Sequence, residues 1–451
     1  MKYWAYLKSL GIVMVAKISQ TSIERLTVTG QEINQPLKGG SGFFYGYFIV
    51  GASLLIMSTM WGVYYAFGVF FKPVINEFGW TKAMTSGAFS LASIMNGLLV
   101  VAMGGLTDKF GPRMVMTICG LFLGSGFMLM SQMNNLFQLY LFYGILVGVG
   151  MSGSFIPLMS TVTRWFIKRR GLMTGIVAAG SGIGALIGPP VVSRLIPIYG
   201  WRISYAILGS ITLLAVVLSA QFIKRDPTQV GQRPYGENQI EQVGLNLRVE
   251  GLSLKEALYS TRFWVFSTTG FCYGYCVFSI MVHMAPHAIE SGISAVRAAN
   301  ILATIGGLAI LGKVLLGRVG DVVGNRHTLM LGFILMSVAL IWLVPSKIGW
   351  KLFLIAGIFG FAYGGIAVSH SPLVADLFGL RSHGLIFGVF AISVSWGGAI
   401  GPLLTGYLFD VTHGYQMAFV LCAVISLTGI LFAALLRPSR HRKESLSTEK
   451  P

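Results

Sequence analysis

The sequence predicts an all-α integral membrane protein of twelve transmembrane helices in two pseudo-symmetric six-helix bundles. Three observations predict this fold: a mean hydropathy of +0.73 with only 11% charged residues, a series of long apolar stretches, and an internal repeat. Roughly a quarter of the residues of a soluble domain are charged. Because this chain has far fewer, much of the surface of the folded protein must face lipid. A spanning helix takes about 20 apolar residues, and twelve of them with short loops nearly fill the 451 residues. We therefore expect no separate soluble catalytic domain.

The predicted spans divide six and six around a polar segment. We expect a cytoplasmic N-terminal tail at 1–42, a first bundle at 43–223, a cytoplasmic linker at 224–262, a second bundle at 263–436 and a cytoplasmic C-terminal tail at 437–451. The predicted spans lie near 44–71, 85–104, 115–132, 137–160, 172–194, 203–223, 263–288, 296–316, 328–344, 351–374, 385–408 and 417–436.

The placement of basic residues predicts the orientation. With both tails inside, 25 of the 33 Lys and Arg residues lie in cytoplasmic segments and seven lie outside, while Lys313 is left within a span. Cytoplasmic loops of membrane proteins are rich in Lys and Arg. The sequence therefore predicts a multi-pass protein of the cell membrane, or of the inner membrane in a Gram-negative cell, with cytoplasmic termini. The basic residues behind the net charge of +18 lie mainly in cytoplasmic segments next to the lipid bilayer. We therefore expect the bilayer as a partner and no nucleic acid.

A shift of 213 residues maps the first half of the chain onto the second. Pro73, Glu77 and Gly79 match Pro286, Glu290 and Gly292. Asp108, Gly111 and Arg113 match Asp321, Gly324 and Arg326. Gly171 and Gly175 match Gly384 and Gly388, and the run Ile-Gly-Pro at 187–189 recurs at 400–402. Such a repeat predicts two parallel bundles with a substrate site between them near mid-membrane, opened alternately to each side.

Three sequence runs carry a resemblance to a known family. The turn Gly-Gly-Leu-Thr-Asp-Lys-Phe-Gly-Pro-Arg at 104–113 resembles the loop between spans 2 and 3 of the major facilitator superfamily, and the resemblance covers 44–436. Trp-Phe-Ile-Lys-Arg-Arg-Gly-Leu at 165–172, with Ala-Ala-Gly-Ser at 178–181, is similar to the monocarboxylate-transporter and oxalate/formate-exchanger group. The resemblance implies secondary active transport of a small organic anion by alternating access, with no cofactor and no enzyme activity.

Lys313 is the leading candidate for binding the substrate. All 15 Asp and Glu residues fall in tails, loops or span ends, whereas Lys313 lies within the eighth span. An ionisable residue at that depth is a functional candidate, and a cavity with a cation and no carboxylate attracts anions. The alternative is that the side chain reaches toward the cytoplasm near Arg318. The resembling group carries Arg at this place, and Lys reads carboxylate geometry less strictly.

The energy coupling stays open between proton symport and anion antiport. Many proton-coupled members of the resembling group have Asp one turn before the cation, where this chain has Ala309. With one cavity cation, a monoanion fits better than a dianion. His283 and His370 are the candidates for proton coupling, because histidine titrates near neutral pH, and a structural role is the alternative for each. We expect His287 at the surface of the outer mouth.

Aromatic and amide side chains complete the predicted cavity. Tyr65 and Asn96 are expected to offer hydrogen bonds to the substrate, since a hydroxyl or an amide can donate to a carboxylate. Helix packing is the alternative for each of them. The further candidates are Tyr64, Tyr143, Tyr273, Tyr363 and Trp396.

Charged residues at the cytoplasmic turns are candidates for gating. The resemblance implies that Asp108 caps a facing helix and pairs with Arg, as Arg113 beside it would allow. Asp321 and Arg326 repeat the motif, and Arg164 lies nearest the membrane in a basic loop that could also serve only as a lipid anchor. The glycine run at 180–188 imitates a phosphate loop, but within an apolar span it predicts close helix packing.

Two alternatives to anion transport remain. The aromatic and Met content also suits efflux of hydrophobic compounds, and the fold could serve a non-transporting membrane sensor. An enzyme is not expected, because the sequence has no metal-ligand cluster, nucleotide motif or nucleophile–base pair.

Overall fold

The computed structural model describes residues 44–236, 251–346, 348–379 and 381–436. Its extended segments are helices, and within the described residues the β structure is confined to two isolated bridges. The predicted tails and residues 237–250 of the predicted linker lie outside the described residues.

Eleven helical segments of the described chain are long and apolar enough to cross a membrane. The longest, Arg170–Gln221, has 52 residues, which is about 78 Å of helix and more than two bilayer cores. Gly200 interrupts it with non-helical torsion angles (φ 75°, ψ 165°), so it contains two spans. The prediction of an all-helical fold with twelve spans is confirmed.

The spans are numbered in chain order. They are span 1 (Tyr45–Phe78), span 2 (Lys82–Phe110), span 3 (Pro112–Met130), span 4 (Leu136–Trp165), spans 5 and 6 (170–199 and 201–221), span 7 (Thr261–Glu290), span 8 (Ala295–Val323), span 9 (Asn325–Leu343), span 10 (Gly349–Phe378), span 11 (His383–Thr412) and span 12 (Gln416–Leu435). Span 1 consists of Tyr45–Tyr65 and Phe67–Phe78, and span 4 of Leu136–Leu139, the π-helical Tyr140–Val147, Gly148–Met151 and Ile156–Trp165. Two short helices, Pro227–Val230 and Leu254–Tyr259, lie between spans 6 and 7.

Successive spans run in opposite directions because short turns join most of them. We call the side on which span 1 begins the terminal side, since span 12 ends there too, and the opposite side the far side. Spans 1–6 form the first half of the molecule and spans 7–12 the second half.

The glycines of the repeat lie where the backbone needs them. Gly79 and Gly292 follow spans 1 and 7 with φ of 68° and 84°, and Gly111 and Gly324 follow spans 2 and 8 with φ of 84° and 98°. L-residues rarely adopt such angles, whereas glycine does so without a steric penalty. The repeated glycines therefore mark the same helix ends in both halves.

Small residues let span 5 approach its neighbours closely. A Cβ atom added at Gly180 would lie 3.0 Å from the carbonyl oxygen of Leu54 in span 1. One added at Gly182 would lie 3.0 Å from the carbonyl oxygen of Gly306 and 2.6 Å from Cγ1 of Ile310, both in span 8. The glycine run at 180–188 thus packs against other helices, as the sequence predicts.

Candidate functional site

Lys313 lies where span 8 of the second half meets span 5 of the first. Its half-buried side chain turns toward span 5, and Nζ donates to the carbonyl oxygen of Ala178 (2.8 Å) and to Oγ of Ser181 (2.7 Å). No carboxylate of the described residues pairs with it. The ammonium is therefore held by two neutral oxygens across the junction of the halves, and it does not reach for the terminal-side surface.

Three of the predicted tyrosines form a group that contacts this lysine through Tyr363. The hydroxyls of Tyr65 in span 1 and Tyr363 in span 10 are 3.1 Å apart and join the halves by a hydrogen bond. Nζ of Lys313 is 5.9 Å from the centre of the Tyr363 ring, and that ring stacks on Tyr273 at 6.0 Å. The structure thus brings together Lys313, Tyr65, Tyr273 and Tyr363 at mid-depth.

Tyr64 and Tyr143 belong to an adjoining aromatic cluster in the first half. The Tyr64 hydroxyl lies 3.1 Å from Oγ of Ser93, and the Tyr143 hydroxyl donates to the Tyr64 carbonyl at 3.4 Å. Both side chains are buried, and Phe89 packs against the Tyr64 ring at 4.6 Å. The hydroxyls of both tyrosines already have hydrogen-bond partners, so these side chains pack behind Tyr65 and do not present a free hydroxyl to a substrate.

Asn96 and Trp396 are not part of the group around Lys313. They flank the contact between spans 2 and 11, where a Cβ atom added at Gly97 would lie 2.5 Å from that of Ser395. Asn96 is half-buried, and the structure gives it no hydrogen bond to any residue it describes. Trp396 is 46% exposed, on the same helical face as the exposed Ile400. That face points away from the junction of the halves.

The two candidate proton carriers have different surroundings. His370 is buried against Tyr273 (5.1 Å between ring centres) and Phe390 (4.8 Å), and its Nε2 has no hydrogen-bond partner among the described residues. His283 is buried at the far side, with Nε2 2.9 Å from the carbonyl oxygen of Pro402 and Nδ1 3.3 Å from the Tyr415 hydroxyl. His370 thus adjoins the lysine group through Tyr273, whereas His283 is fixed in a hydrogen-bonded position.

His287 was expected at the surface, and this expectation is wrong. Its side chain is only 9% exposed and packs edge-on against Tyr415 and Phe419. The helix pattern places it one turn after His283, on the same face, and span 12 covers that face.

The terminal-side charges pair differently from the expectation. Asp108 accepts from Arg164 of span 4 at 2.7 Å, and Arg164 also lies 3.5 Å from Asp226, which follows span 6. Arg113 instead donates to the side chain of Gln221 at 2.8 Å. Asp108 therefore pairs with an arginine, as the resemblance implies, but this arginine is Arg164 and not the neighbouring Arg113, which points from the start of span 3 toward span 6.

The repeated charges in the second half do not form the same network. Asp321 is exposed and has no ion pair or hydrogen bond with the described residues. Arg326 donates to the carbonyl oxygens of Ala433 (3.4 Å) and Ala434 (2.5 Å) at the end of span 12. These terminal-side contacts tie helices within one half.

At the far side, three charged residues join the two halves in a group that we call the far-side latch: Lys82, Glu290 and Asp410. Lys82 opens span 2 and forms an ion pair with Glu290 at the end of span 7. Both carboxylate oxygens of Asp410, in span 11, accept from backbone N–H groups of span 2, those of Lys82 (3.0 Å) and Ala83 (2.8 Å). The start of span 2 is thus capped by the opposite half.

Sequence reasoning missed the latch, although the repeat held a signal for it. Under the 213-residue shift, Lys82 maps onto Ala295 and Asp410 onto Pro197. Both charges therefore break the repeat at a span end. The polar contacts that the structure describes between the halves lie at mid-depth and at the far side, so this conformation is closed at the far side.

A cavity of about 490 Å³ lies at the far side and not beside Lys313. Lys72 and Asn76 of span 1, Ser193 and Pro197 of span 5, and Ile293 and Ser294 of the turn before span 8 line it. It opens on the closed face of the molecule, so we do not place the substrate site there.

The twelve-span fold, with polar residues meeting between two repeated halves, defines a membrane-embedded secondary transporter of small solutes. The chain belongs to the Major Facilitator Superfamily, whose family model matches residues 47–321 and 290–451. It is therefore a transporter and not an enzyme.

Individual proteins are similar to most of the chain. Monocarboxylate transporter 11 of Homo sapiens is 28% identical over 405 residues, covering 85% of this chain and 81% of that protein. The oxalate:formate antiporter of Oxalobacter formigenes is 25% identical over 419 residues, covering 91% and 96%. Among solved structures, a bacterial homologue of the human lysosomal transporter Spinster, in an inward-facing and occupied conformation, is similar with a TM-score of 0.70 and 17% identity, covering 88% of this chain and 97% of that one.

Proposed function

We propose that this transporter moves a small organic anion, a monocarboxylate in the first instance, across the membrane by alternating access. The observation that carries the proposal is the Lys313 ammonium, which bonds only neutral oxygens between the halves. A cation without an acidic neighbour attracts anions and repels cations. The names of the two sequence relatives support the same substrate class.

The residues near Lys313 have complementary roles in this proposal. Lys313 pairs with the carboxylate, and the hydroxyls of Tyr65 and Tyr363, 3.1 Å apart, orient it by hydrogen bonds from both halves. Asn96 contributes if the substrate extends toward span 2. A single ammonium neutralises one negative charge, which favours a monoanion over a dianion.

For proton coupling, His370 is the stronger of the two candidates. It is buried beside Tyr273 with Nε2 unpartnered in the described part of the chain, so a proton placed there changes the charge next to the anion site. His283 uses both ring nitrogens in hydrogen bonds, which suits a structural role. Anion exchange needs no such proton and remains the second mode.

The proposed orientation places the terminal side in the cytoplasm, because the Lys- and Arg-rich loops lie there. The far side, where the latch joins the two halves, then faces outward. In this orientation the candidate gating residues lie at the inner ends of the spans: Asp108, Arg113, Arg164, Asp321 and Arg326. The contacts that they make lie within one half, so they hold the helix ends of each half together while the halves move.

Uptake into proteoliposomes tests the proposal. The panel comprises labelled formate, acetate, lactate, pyruvate, oxalate and succinate, with and without a pH gradient, for wild type, Lys313→Ala and Lys313→Arg. We expect uptake of a monocarboxylate, at least a tenfold loss with Ala from losing a charge-assisted hydrogen bond, and partial retention with Arg. Equal uptake by wild type and Lys313→Ala for every anion would refute it.

Efflux of hydrophobic compounds is the second candidate. The aromatic wall formed by Tyr64, Phe89, Tyr143 and Phe278 favours it, since Phe278 of the second half packs on Tyr64 and Phe89 of the first. In that case transport of uncharged compounds would be indifferent to Lys313→Ala. Binding without flux of any solute would indicate a sensor instead.

A further inference from the structure

Ser181 of span 5 joins Lys313 to the first half of the molecule. Its Oγ accepts from Nζ of Lys313 at 2.7 Å and donates its own hydrogen to the carbonyl oxygen of Ala178 at 3.0 Å. The same carbonyl oxygen accepts from Nζ at 2.8 Å. The lysine, the hydroxyl and the carbonyl therefore form a closed hydrogen-bonded ring across spans 5 and 8.

We propose that Ser181 is a second carboxylate-binding residue, which holds the Lys313 ammonium in the empty transporter and donates to the anion once it is bound. This inference rests on the proposed function. An ammonium has three donors, and span 5 uses two of them on neutral acceptors. A carboxylate is a stronger acceptor for an ammonium than a hydroxyl or a carbonyl, so it displaces them.

The displacement frees the serine hydrogen for the anion. When a carboxylate oxygen replaces the Ala178 carbonyl at Nζ, the Ser181 hydroxyl can rotate and donate to the other carboxylate oxygen. One carboxylate is then held by Lys313 in the second half and by Ser181 in the first. Substrate binding thus replaces a direct contact between the halves with a contact made through the substrate.

The repeat offers an independent indication. Under the 213-residue shift, Ser181 maps onto Val394 and Lys313 maps onto Val100. Both members of the pair are polar where the repeat has valine, so they depart from it together. A small residue at position 181 satisfies helix packing, but packing does not call for a lysine at position 313, and a shared ligand accounts for both.

The test compares Ser181→Ala with a matched control in the same span. Ser193 donates to the carbonyl oxygen of Pro190 at 2.9 Å, which copies the local bond of Ser181 without a lysine partner. We expect Ser181→Ala to raise KM for the transported monocarboxylates of the panel about tenfold, from the loss of one hydrogen bond to a charged group, with little change in Vmax. Ser181→Thr should retain a low KM, and Ser193→Ala should match wild type.

A second measurement separates binding from folding. Addition of the same monocarboxylates should raise the thermal unfolding midpoint of purified wild type and Ser193→Ala, since a ligand stabilises the state that binds it, and should do so less for Ser181→Ala. In a variant that already carries Lys313→Gln, adding Ser181→Ala should cause little further loss of anion binding. If Lys313→Gln raises KM and Ser181→Ala does not, the role of Ser181 is refuted while the proposed function stands. If neither variant changes anion transport, the proposed function itself fails.

Discussion

Lys82 and Glu290 form an ion pair that joins the two halves of the transporter at the far side. The repeat explains why Glu290 reaches across. Its counterpart Glu77 pairs within its own half with Arg202, at 2.6 Å, but the position matching Arg202 in the second half is Tyr415. A tyrosine cannot neutralise a carboxylate, so Glu290 pairs with Lys82 of the opposite half. A departure from symmetry at one position thus produces a contact that holds the far side closed.

Breaking this ion pair should favour opening of the far side. We expect Lys82→Gln to raise several-fold the rate at which an impermeant maleimide labels a cysteine placed at Val282, which is buried against Gly68 of the opposite half. A partly exposed ion pair contributes roughly 1 kcal/mol, and a change of this size in the free energy of opening gives a several-fold change in the labelling rate. Lys72→Gln is the control, since Lys72 is exposed at the same side and has no ion pair in the described part of the chain. Unchanged labelling in Lys82→Gln would contradict this role.

Asp410 should contribute to stability by capping span 2. It accepts two backbone N–H groups that have no partner within the helix, and losing a cap costs about 1 kcal/mol. We expect Asp410→Ala to lower the thermal unfolding midpoint of the purified protein by a few degrees, and Asp410→Asn to lower it less because the amide oxygen still accepts. Asp321→Ala, at an exposed position without a partner among the described residues, should leave the midpoint unchanged. Equal midpoints for wild type and Asp410→Ala would show that the cap is dispensable.

Substituting the two buried histidines should have different effects: we expect His370 to matter for proton coupling and His283 for stability. If transport is proton-coupled, His370→Gln should abolish the stimulation of uptake by a pH gradient while counterflow exchange of the same anion persists. His283→Gln should instead lower the unfolding midpoint, since its bonds to Pro402 and Tyr415 are weakened, and should leave the gradient dependence intact. Gradient-driven uptake by His370→Gln at the wild-type rate would remove His370 from the coupling mechanism.

The sequence predicts the fold in detail and the site in part. Spans, turns and the repeat follow from local composition and from glycines with φ above 60° such as Gly79 and Gly111. Lys313 is recognisable because charge is rare in an apolar span. The partners of charged groups are not predictable, because they depend on how distant helices meet: Arg164 and not Arg113 reaches Asp108.

Ser181 shows the same limit inside the membrane. In the sequence it is one small residue in a glycine-rich run, and packing accounts for it fully. Only the approach of span 8 brings Lys313 within 2.7 Å of its hydroxyl. Comparing the two halves would not have singled out Ser181, because other polar residues, such as Ser86 and Asn96, also face alanine under the 213-residue shift.

The close approach of spans 5 and 8 should itself be required for transport. A Cβ atom at Gly182 would meet Cγ1 of Ile310 at 2.6 Å and the carbonyl oxygen of Gly306 at 3.0 Å, so span 8 must shift to admit a methyl group. Overpacking of this kind costs about 1–3 kcal/mol and moves Lys313, one turn further along span 8, away from Ser181. We expect Gly182→Ala to reduce monocarboxylate uptake at least fivefold, whereas Gly175→Ala in the same span, where a Cβ meets nothing within 4 Å, should retain it. Equal uptake by the two variants, at equal amounts of folded protein, would mean that the junction tolerates a wider spacing and that the contact between Ser181 and Lys313 does not depend on it.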